Sequence, residues 1–357
     1  MNKKIAVAII CRDSARTIKD CIESFGKHVD FLSIVDTGSK DRTIPIIHRT
    51  CRKLRLPYKL VEFKWIDDFA AARNFSFSHI PDDCEWILWV DSDDTVYQPE
   101  NLRKLANDLP AQVGAVWFSY HYAIDEFGNV TTEYIRERLL RKAYGWIWRS
   151  RLHETVAPLQ NCQFVKSEEV IIVHNHTAGA SRGERNFRIL NVMLKEDPAD
   201  KRVWLYLAHQ YFATNQWAEA AEWYVKFGSD IGAIPIERYQ ALCYASKSMR
   251  NIQDKQAVEV ALMAMELFPN YRDGYLELAH SYLMLQDWDK AIHWAKISDK
   301  KDLIQEPPNI IFINPLEYTF NKFALLSECY TRKGDLKQAL EYLRLAYQVR
   351  PVMEIQN

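Results

Sequence analysis

The sequence predicts an α/β domain with a Rossmann-like mixed sheet, followed by an all-α domain of helical repeats. Three observations carry this. In the first half, short apolar runs alternate with amphipathic helical patterns, which is how a sheet with crossover helices reads. From about Glu184 the strand patterns stop and apolar residues recur at helical spacing. The third is one stretch, Trp86 to Asp94 (WILWVDSDD), in which five apolar residues run directly into acids. The boundary divides the 357 residues into domains 1–183 and 184–357, and the length suits two.

Composition narrows the classes. The chain is 48% hydrophobic and 26% charged, ordinary for a globular protein. Lys plus Arg is 46 against 47 for Asp plus Glu, a formal net charge of -1. That balance excludes a global pull toward nucleic acid or anionic membrane, although a local basic patch is still open. No apolar run is long enough to span a bilayer. The N-terminus, MNKKIAVAIICRD, mimics a signal peptide. Its apolar run is short, has no small-residue cleavage site and leads into Arg12 and Asp13, so it reads as the first strand. The seven cysteines are odd in number, and none has the close spacing of a zinc or redox pair. Reduced thiols and a cytoplasmic location are expected.

In chain order, Ile5 to Ile10 is a strand, and Ser14 is placed to cap a helix through about Phe25. Phe31 to Val35 is a second strand, ending at Asp36-Thr37-Gly38-Ser39. Asp41 can cap a helix from Thr43 to Leu54. Tyr58 to Phe63 is a third strand, and Asp68 precedes a helix near Phe69 to His79. Trp86 to Val90 is the fourth, apolar enough to be buried on both faces. Glu100 to Leu109 is a helix with Pro99 near its first turn, Val113 to Tyr120 a strand, and Phe127-Gly128-Asn129 a turn of a hairpin.

Ligands of open α/β sheets bind beyond the carboxyl ends of the strands. Three loops end there: one with Arg12 and Asp13, one with Asp36 to Ser39, and the DSDD stretch. Crowded carboxylates repel one another less when a hard divalent cation binds between them, and Mg²⁺ or Mn²⁺ is often shared with substrate phosphates. A metal-diphosphate site is the expectation, against the plainer reading of an acidic, solvated turn. Neither GxGxxG nor a Walker A sequence occurs, which argues against a usual dinucleotide or P-loop site.

IVDTGSKDRT, FKWIDDFAAARNFS and WILWVDSDD, in that order and spacing, resemble the N-terminal half of a family-2 glycosyltransferase with the GT-A fold. The resemblance implies a nucleotide-sugar donor. It implies that Asp36 lies near the base or ribose, and that Arg73 and Asn74 shape the nucleotide pocket. It makes Asp91 and Asp93 the two acids of a DXD motif, with Asp93 closest to the metal. Arg12, in the first loop, is placed with the nucleotide-binding residues. A guanidinium at Arg73 suits a diphosphate or a base. Thr37 stands where many members carry a second Asp.

Arg151-Leu152-His153-Glu154 resembles an R-x-H-E segment in the repeat-carrying members of the family. An inverting transfer needs one base to take the acceptor proton. Glu154 is the first choice, ahead of Asp94 and Asp125; its plainer role is an ion pair with Arg151 or Arg149. His174 and His176 follow the apolar run Val170 to Val173 and, in a strand, point to one face. The resemblance places a metal-binding histidine in this region, which makes either a candidate ligand. Thr177 to Gly183 reads as a mobile loop or a linker.

In the second half, Trp204, Leu207, Ala208, Tyr211, Ala220 and Tyr224 fit the tetratricopeptide (TPR) pattern. Tyr275, Leu278, Ala279, Tyr282 and Ala291 repeat it, as do Phe323, Leu326, Tyr330, Ala339, Ala346 and Pro351. Ala245, Ala257, Ala261, Ala264 and Pro269 make a weaker copy, and Ala257 and Ala291 stand 34 residues apart. Lys301 to Pro315 reads as an inserted loop. Such arrays bind extended partners or a second protomer, so a homodimer through the repeats is one expectation.

The leading expectation is a metal-dependent (Mn²⁺ or Mg²⁺) inverting glycosyltransferase using a UDP-sugar. The acceptor would be a saccharide, a peptide or protein, or a modified nucleobase, with DNA ranked last on charge. The alternative is a catalytically degenerate nucleotide-sugar-binding module beside a TPR interaction scaffold.

Overall fold

The computed structural model describes residues 2–124, 130–175, 182–300, 303 and 315–349. It divides into two compact units, Met1–Arg182 and Gly183–Asn357. Asp125, the 127–129 turn, His176, most of the 177–183 segment, Pro351 and most of the 301–315 insertion lie outside the described residues.

In the first unit, chain order runs β1 (Lys4–Cys11), α1 (Ile18–Phe25), β2 (Phe31–Asp36), α2 (Thr43–Leu54), β3 (Tyr58–Glu62), α3 (Phe69–Phe77) and β4 (Cys84–Trp89). Then come β5 (Asp94–Tyr97), α4 (Asn101–Asp108), β6 (Val113–Ile124), β7 (Val130–Arg141), β8 (Trp146–Arg149), β9 (Thr155–Pro158) and β10 (Gln163–His174). One mixed sheet of eight strands has the order β3-β2-β1-β4-β7-β6-β10-β5, and β8 pairs with β9 separately. The first four neighbours are parallel, β4 to β7 to β6 are antiparallel, and β10 runs parallel to β6 and antiparallel to β5.

The central strands are covered on both faces. Ile5, Val7 and Ile9 of β1, with Trp86 and Leu88 of β4, pack into one core with α1, α2 and α4. The alternate residues Ala6, Ala8, Ile87 and Trp89 pack with Ala70 of α3 and Trp148 of β8 in a second core. Small alanines on that face leave room for the two tryptophans, whose rings meet edge to face at 4.8 Å. Each fully buried aliphatic contributes roughly 1.5–3 kcal/mol relative to exposure.

Two local expectations are corrected. Ser14 does not cap α1: Thr17 holds the cap position without a side-chain bond, and the Ser14 carbonyl accepts the N–H groups of Thr17 and Ile18. The Ser14 hydroxyl instead bonds the Arg12 carbonyl (3.1 Å) and the Ser92 hydroxyl (2.8 Å), tying the first loop to the acidic loop. The acids also part company. Asp94 does not join an open turn; it begins β5 and its side chain is fully buried.

The second unit begins with α5 (Arg182–Glu196) and continues as helical hairpins: α6 (Lys201–Ala213) with α7 (Trp217–Ser229), α8 (Pro235–Asn251) with α9 (Ala257–Leu267), α10 (Arg272–Met284) with α11 (Trp288–Ile297), and α12 (Phe320–Arg332) with α13 (Leu336–Val349). The small residues of the repeat pattern lie in the cores between the helices. Ala208, Ala220, Ala245, Ala261, Ala279, Ala291 and Ala339 are all buried. Asp200 and Asp287 cap α6 and α11 through their side chains. No described helix is long and apolar enough to cross a membrane.

Candidate active site

The parallel strands deliver their loops to one edge. Cys11 at the end of β1 lies opposite Asp36 at the end of β2. Asp13, at φ 49°, donates its N–H to Ser39 Oγ (2.9 Å) and accepts the Lys40 N–H (2.7 Å), which joins the first two loops. Asp36 is buried. Its Oδ2 accepts the N–H groups of Gly38 and Ser39, each at 3.0 Å, so the carboxylate shapes its own turn; Gly38, at φ +103°, supplies the conformation that turn needs. Asp36, Gly38, Ser39, Ile44, Leu60, Val61 and Glu62 line a cleft of about 270 Å³. Arg12 stands exposed in the loop beside it, 3.8 Å from the Asp13 carboxylate.

Asp68 caps α3 by accepting the Ala71 N–H at 2.8 Å, as its position predicts, and Arg151 lies 3.7 Å from the same carboxylate. The helix then turns Arg73 inward. Its side chain is only 7% exposed and lies against the edge-to-face pair of Trp89 and Trp148, at 4.9 and 4.8 Å from the ring centres. One end of the guanidinium bonds Asp91 Oδ1 (2.5 Å), and Nε bonds Glu154 Oε1 (2.6 Å). Glu154 therefore pairs with Arg73 from a distant helix, whereas Arg151 turns to Asp68. Burial disfavours a charged Arg73, but the two carboxylates outweigh it and raise its pKa. Asp91 is pushed up by burial and pulled further down by Arg73 and Arg138, so it is held below the usual carboxylate range.

Asn74 faces the other way. Its amide donates to the Trp148 carbonyl (2.9 Å) and accepts the Trp148 N–H (2.8 Å), clamping β8 to α3. Asn74→Ala leaves two backbone groups of a buried residue without partners. The expected loss is about 1–3 kcal/mol, read by urea denaturation; an unchanged midpoint would show that the clamp carries no stability.

The antiparallel register of β10 with β5 sets His174 opposite Asp94. His174 Nδ1 is 3.2 Å from Asp94 Oδ1 and 3.7 Å from Asp93 Oδ1. Asp93, Asp94 and His174 can each offer one ligand atom, all within 4.8 Å of one another. Burial opposes a charged imidazole, but the hydrogen bond to Asp94 and the charges of Asp93, Asp94 and Asp91 raise the His174 pKa.

Arg138 escapes sequence reasoning, and Asp94, from the sequence an alternative base, has a different place. Asp94 is wholly enclosed: Oδ1 accepts the Tyr120 hydroxyl (3.0 Å), and Oδ2 accepts the Asp91 N–H (3.0 Å). Arg138 of β7, 1% exposed, lies over the rings of Trp89 (3.8 Å) and Tyr120 (4.3 Å), with Nη1 3.2 Å from Asp94 Oδ2 and 4.0 Å from Asp91 Oδ2. The pairing of β7 with β6 slips at Arg138, since Val116 lies opposite Leu139 and Trp117 opposite Glu137, and local sequence carries no mark of that irregularity.

Residues 6–183 match the model of glycosyl transferase family 2. Through this N-terminal unit the chain belongs to glycosyl transferase family 2. A TPR repeat-containing protein of Synechococcus elongatus is 36% identical over 91 residues, covering 26% of this chain and 21% of that protein. The SPbeta prophage-derived glycosyltransferase SunS of Bacillus subtilis is 30% identical over 102 residues, covering 29% and 22%. The matches thus span about a fifth of the length of these curated relatives. Among solved structures, the MamA protein aligns with TM-score 0.36 and 20% identity over 46% of this chain and 81% of that one. A thermophilic TPR protein from Thermus thermophilus aligns with TM-score 0.35 and 22% identity over 48% and 84%.

Proposed function

We propose that the chain is a metal-dependent inverting glycosyltransferase that takes a sugar from a nucleotide sugar, a UDP-sugar by preference. The acceptor nucleophile would belong to a saccharide, a peptide or protein, or a modified nucleobase. The observation that carries the reading is that one buried guanidinium, Arg73, holds both Asp91 and Glu154. The first acid of the acidic loop and the candidate base are thereby fixed within one side chain's reach of each other.

The donor set fits Mn²⁺ better than Mg²⁺, because both accept carboxylate oxygens but the softer Mn²⁺ also takes an imidazole. Asp93 and His174 would be the ligands. Asp94 has its oxygens committed to Tyr120, Arg138 and the Asp91 N–H, and serves to orient the imidazole. A divalent cation bound there would offset charge on the leaving diphosphate. The cleft at Asp36 has apolar walls from Ile44, Leu60 and Val61 and acceptors at its rim, which suits a base and ribose, with Arg12 toward the phosphates. Glu154, bonded to Arg73 through Oε1, would take the acceptor proton on Oε2. The repeats would recruit the acceptor or pair subunits. A reducing, cytoplasmic setting fits seven free cysteines, five of them buried.

The direct test is release of nucleoside diphosphate from UDP-sugars by the purified chain with Mn²⁺, abolished by EDTA. Glu154→Gln should lower kcat for transfer by about 10²-fold and leave donor affinity unchanged by calorimetry. Transfer at the wild-type rate in that variant would remove Glu154 from the role of base.

A further inference from the structure

The side chains between the candidate base and the candidate metal ligands form a row of alternating charge: Glu154, Arg73, Asp91, Arg138, Asp94, His174, Asp93. Arg138 stands at its middle. We infer that Arg138 is a positioning residue for the transfer reaction, holding Asp91 and Asp94 in fixed register so that the two ends of the row keep one geometry. The inference rests on the proposed function above.

The geometry supports a positioning role rather than simple core filling. A fully buried guanidinium is costly, and a well-packed apolar side chain of similar volume would often serve stability as well or better. This one is sandwiched between Trp89 and Tyr120, which fixes its plane. Its Nη1 reaches both carboxylates and also the Trp89 carbonyl, at 3.4 Å. Its buried Nε has no hydrogen-bond partner among the described residues, so the site accepts a polar cost to keep the head where it is. Asp91 and Asp94 lie three residues apart on either side of the acidic turn, and Asp94 in turn faces His174. A shift of Asp94 therefore moves the imidazole, and a shift of Asp91 moves Arg73 and Glu154. Arg138 is out of reach of solvent, so it acts through these neighbours.

Arg138→Lys keeps the charge but has no planar head to stack on Trp89 and Tyr120. The expected result is a folded protein whose Mn²⁺ affinity, read by electron paramagnetic resonance, falls about 10- to 100-fold, the range for residues that support metal ligands. Its kcat should fall by about 10²-fold, the cost of ångström-scale misplacement, with a smaller change in donor KM. Tyr120→Phe removes a second hold on Asp94 without unpairing a charge, and should weaken Mn²⁺ binding several-fold in the same assay. It keeps the question answerable if the lysine variant does not fold. Folded variants with wild-type Mn²⁺ affinity and kcat overturn the inference while the transferase reading stands. A wild-type chain that neither binds Mn²⁺ nor cleaves any nucleotide sugar sinks both.

Discussion

Replacing Asp93 by alanine should remove metal-dependent cleavage of the donor, by about 10³-fold or more, and leave the fold intact. The magnitude follows from the several kcal/mol of charge stabilisation a bound cation supplies, at about 1.4 kcal/mol per tenfold. The fold should survive because Asp93 lies in the turn that precedes β5, outside the strand pairing. What the scaffold uses is its backbone carbonyl, which accepts the Asn175 N–H at 2.7 Å and pins the end of β10. Alanine keeps that bond. The measurement pairs nucleoside diphosphate release at saturating Mn²⁺ with a melting curve. Wild-type release by a variant that melts normally would move the metal site elsewhere. Asp94→Asn is the contrast. Its carboxylate is enclosed and paired with Arg138, so that change should lower the melting point as well as the rate.

This contrast marks where sequence reading stopped. The apolar run into DSDD located the site edge, because a strand buried on both faces needs unbroken hydrophobicity and its loop must then turn polar. What it could not separate were acids one residue apart. Asp93 stays in the turn while Asp94 becomes the first residue of β5, because the chain crosses to pair antiparallel with β10. Long-range strand pairing of that kind leaves no mark in local periodicity. Arg73 shows the same limit. Its place in the AARN segment pointed to the site, but a surface contact with the nucleotide is a different thing from a guanidinium buried against two tryptophans. Trp89 and Trp148, which meet edge to face beneath it, are 59 residues apart in the chain. The repeats were legible for the opposite reason. Their alanines are packed against helices nearby in sequence, so spacing alone carries the information. Arg138 combines both difficulties, since its partners Asp91 and Asp94 lie over forty residues away and its strand reads as an ordinary charged one.

Arg73→Ala should cost the first unit about 3–5 kcal/mol at neutral pH, the usual penalty for stripping one partner from a buried ion pair. Removing it leaves Asp91 and Glu154 ionised in a site walled by Trp89 and Trp148, with Arg138 4.0 Å from Asp91 and closer to Asp94. The sign with pH follows from the direction of the Asp91 shift. In the native protein Asp91 is held below its unfolded value, so its share of stability is fully present above about pH 3.9 and is lost as pH falls through the folded value. In the variant the Arg73 guanidinium no longer opposes desolvation at Asp91, so that carboxyl is pushed up and takes a proton more readily on folding. The deficit should therefore be largest at pH 7 and shrink by pH 5. Urea denaturation of both proteins at the two pH values, following the transition of the first unit, reads this directly. A deficit below about 1 kcal/mol, the range of exposed ion pairs, or one equal at both pH values would mean that Arg73 carries little of the site's charge. Arg73→Lys should recover part of the stability but not the two-ended bond, so it separates charge from geometry.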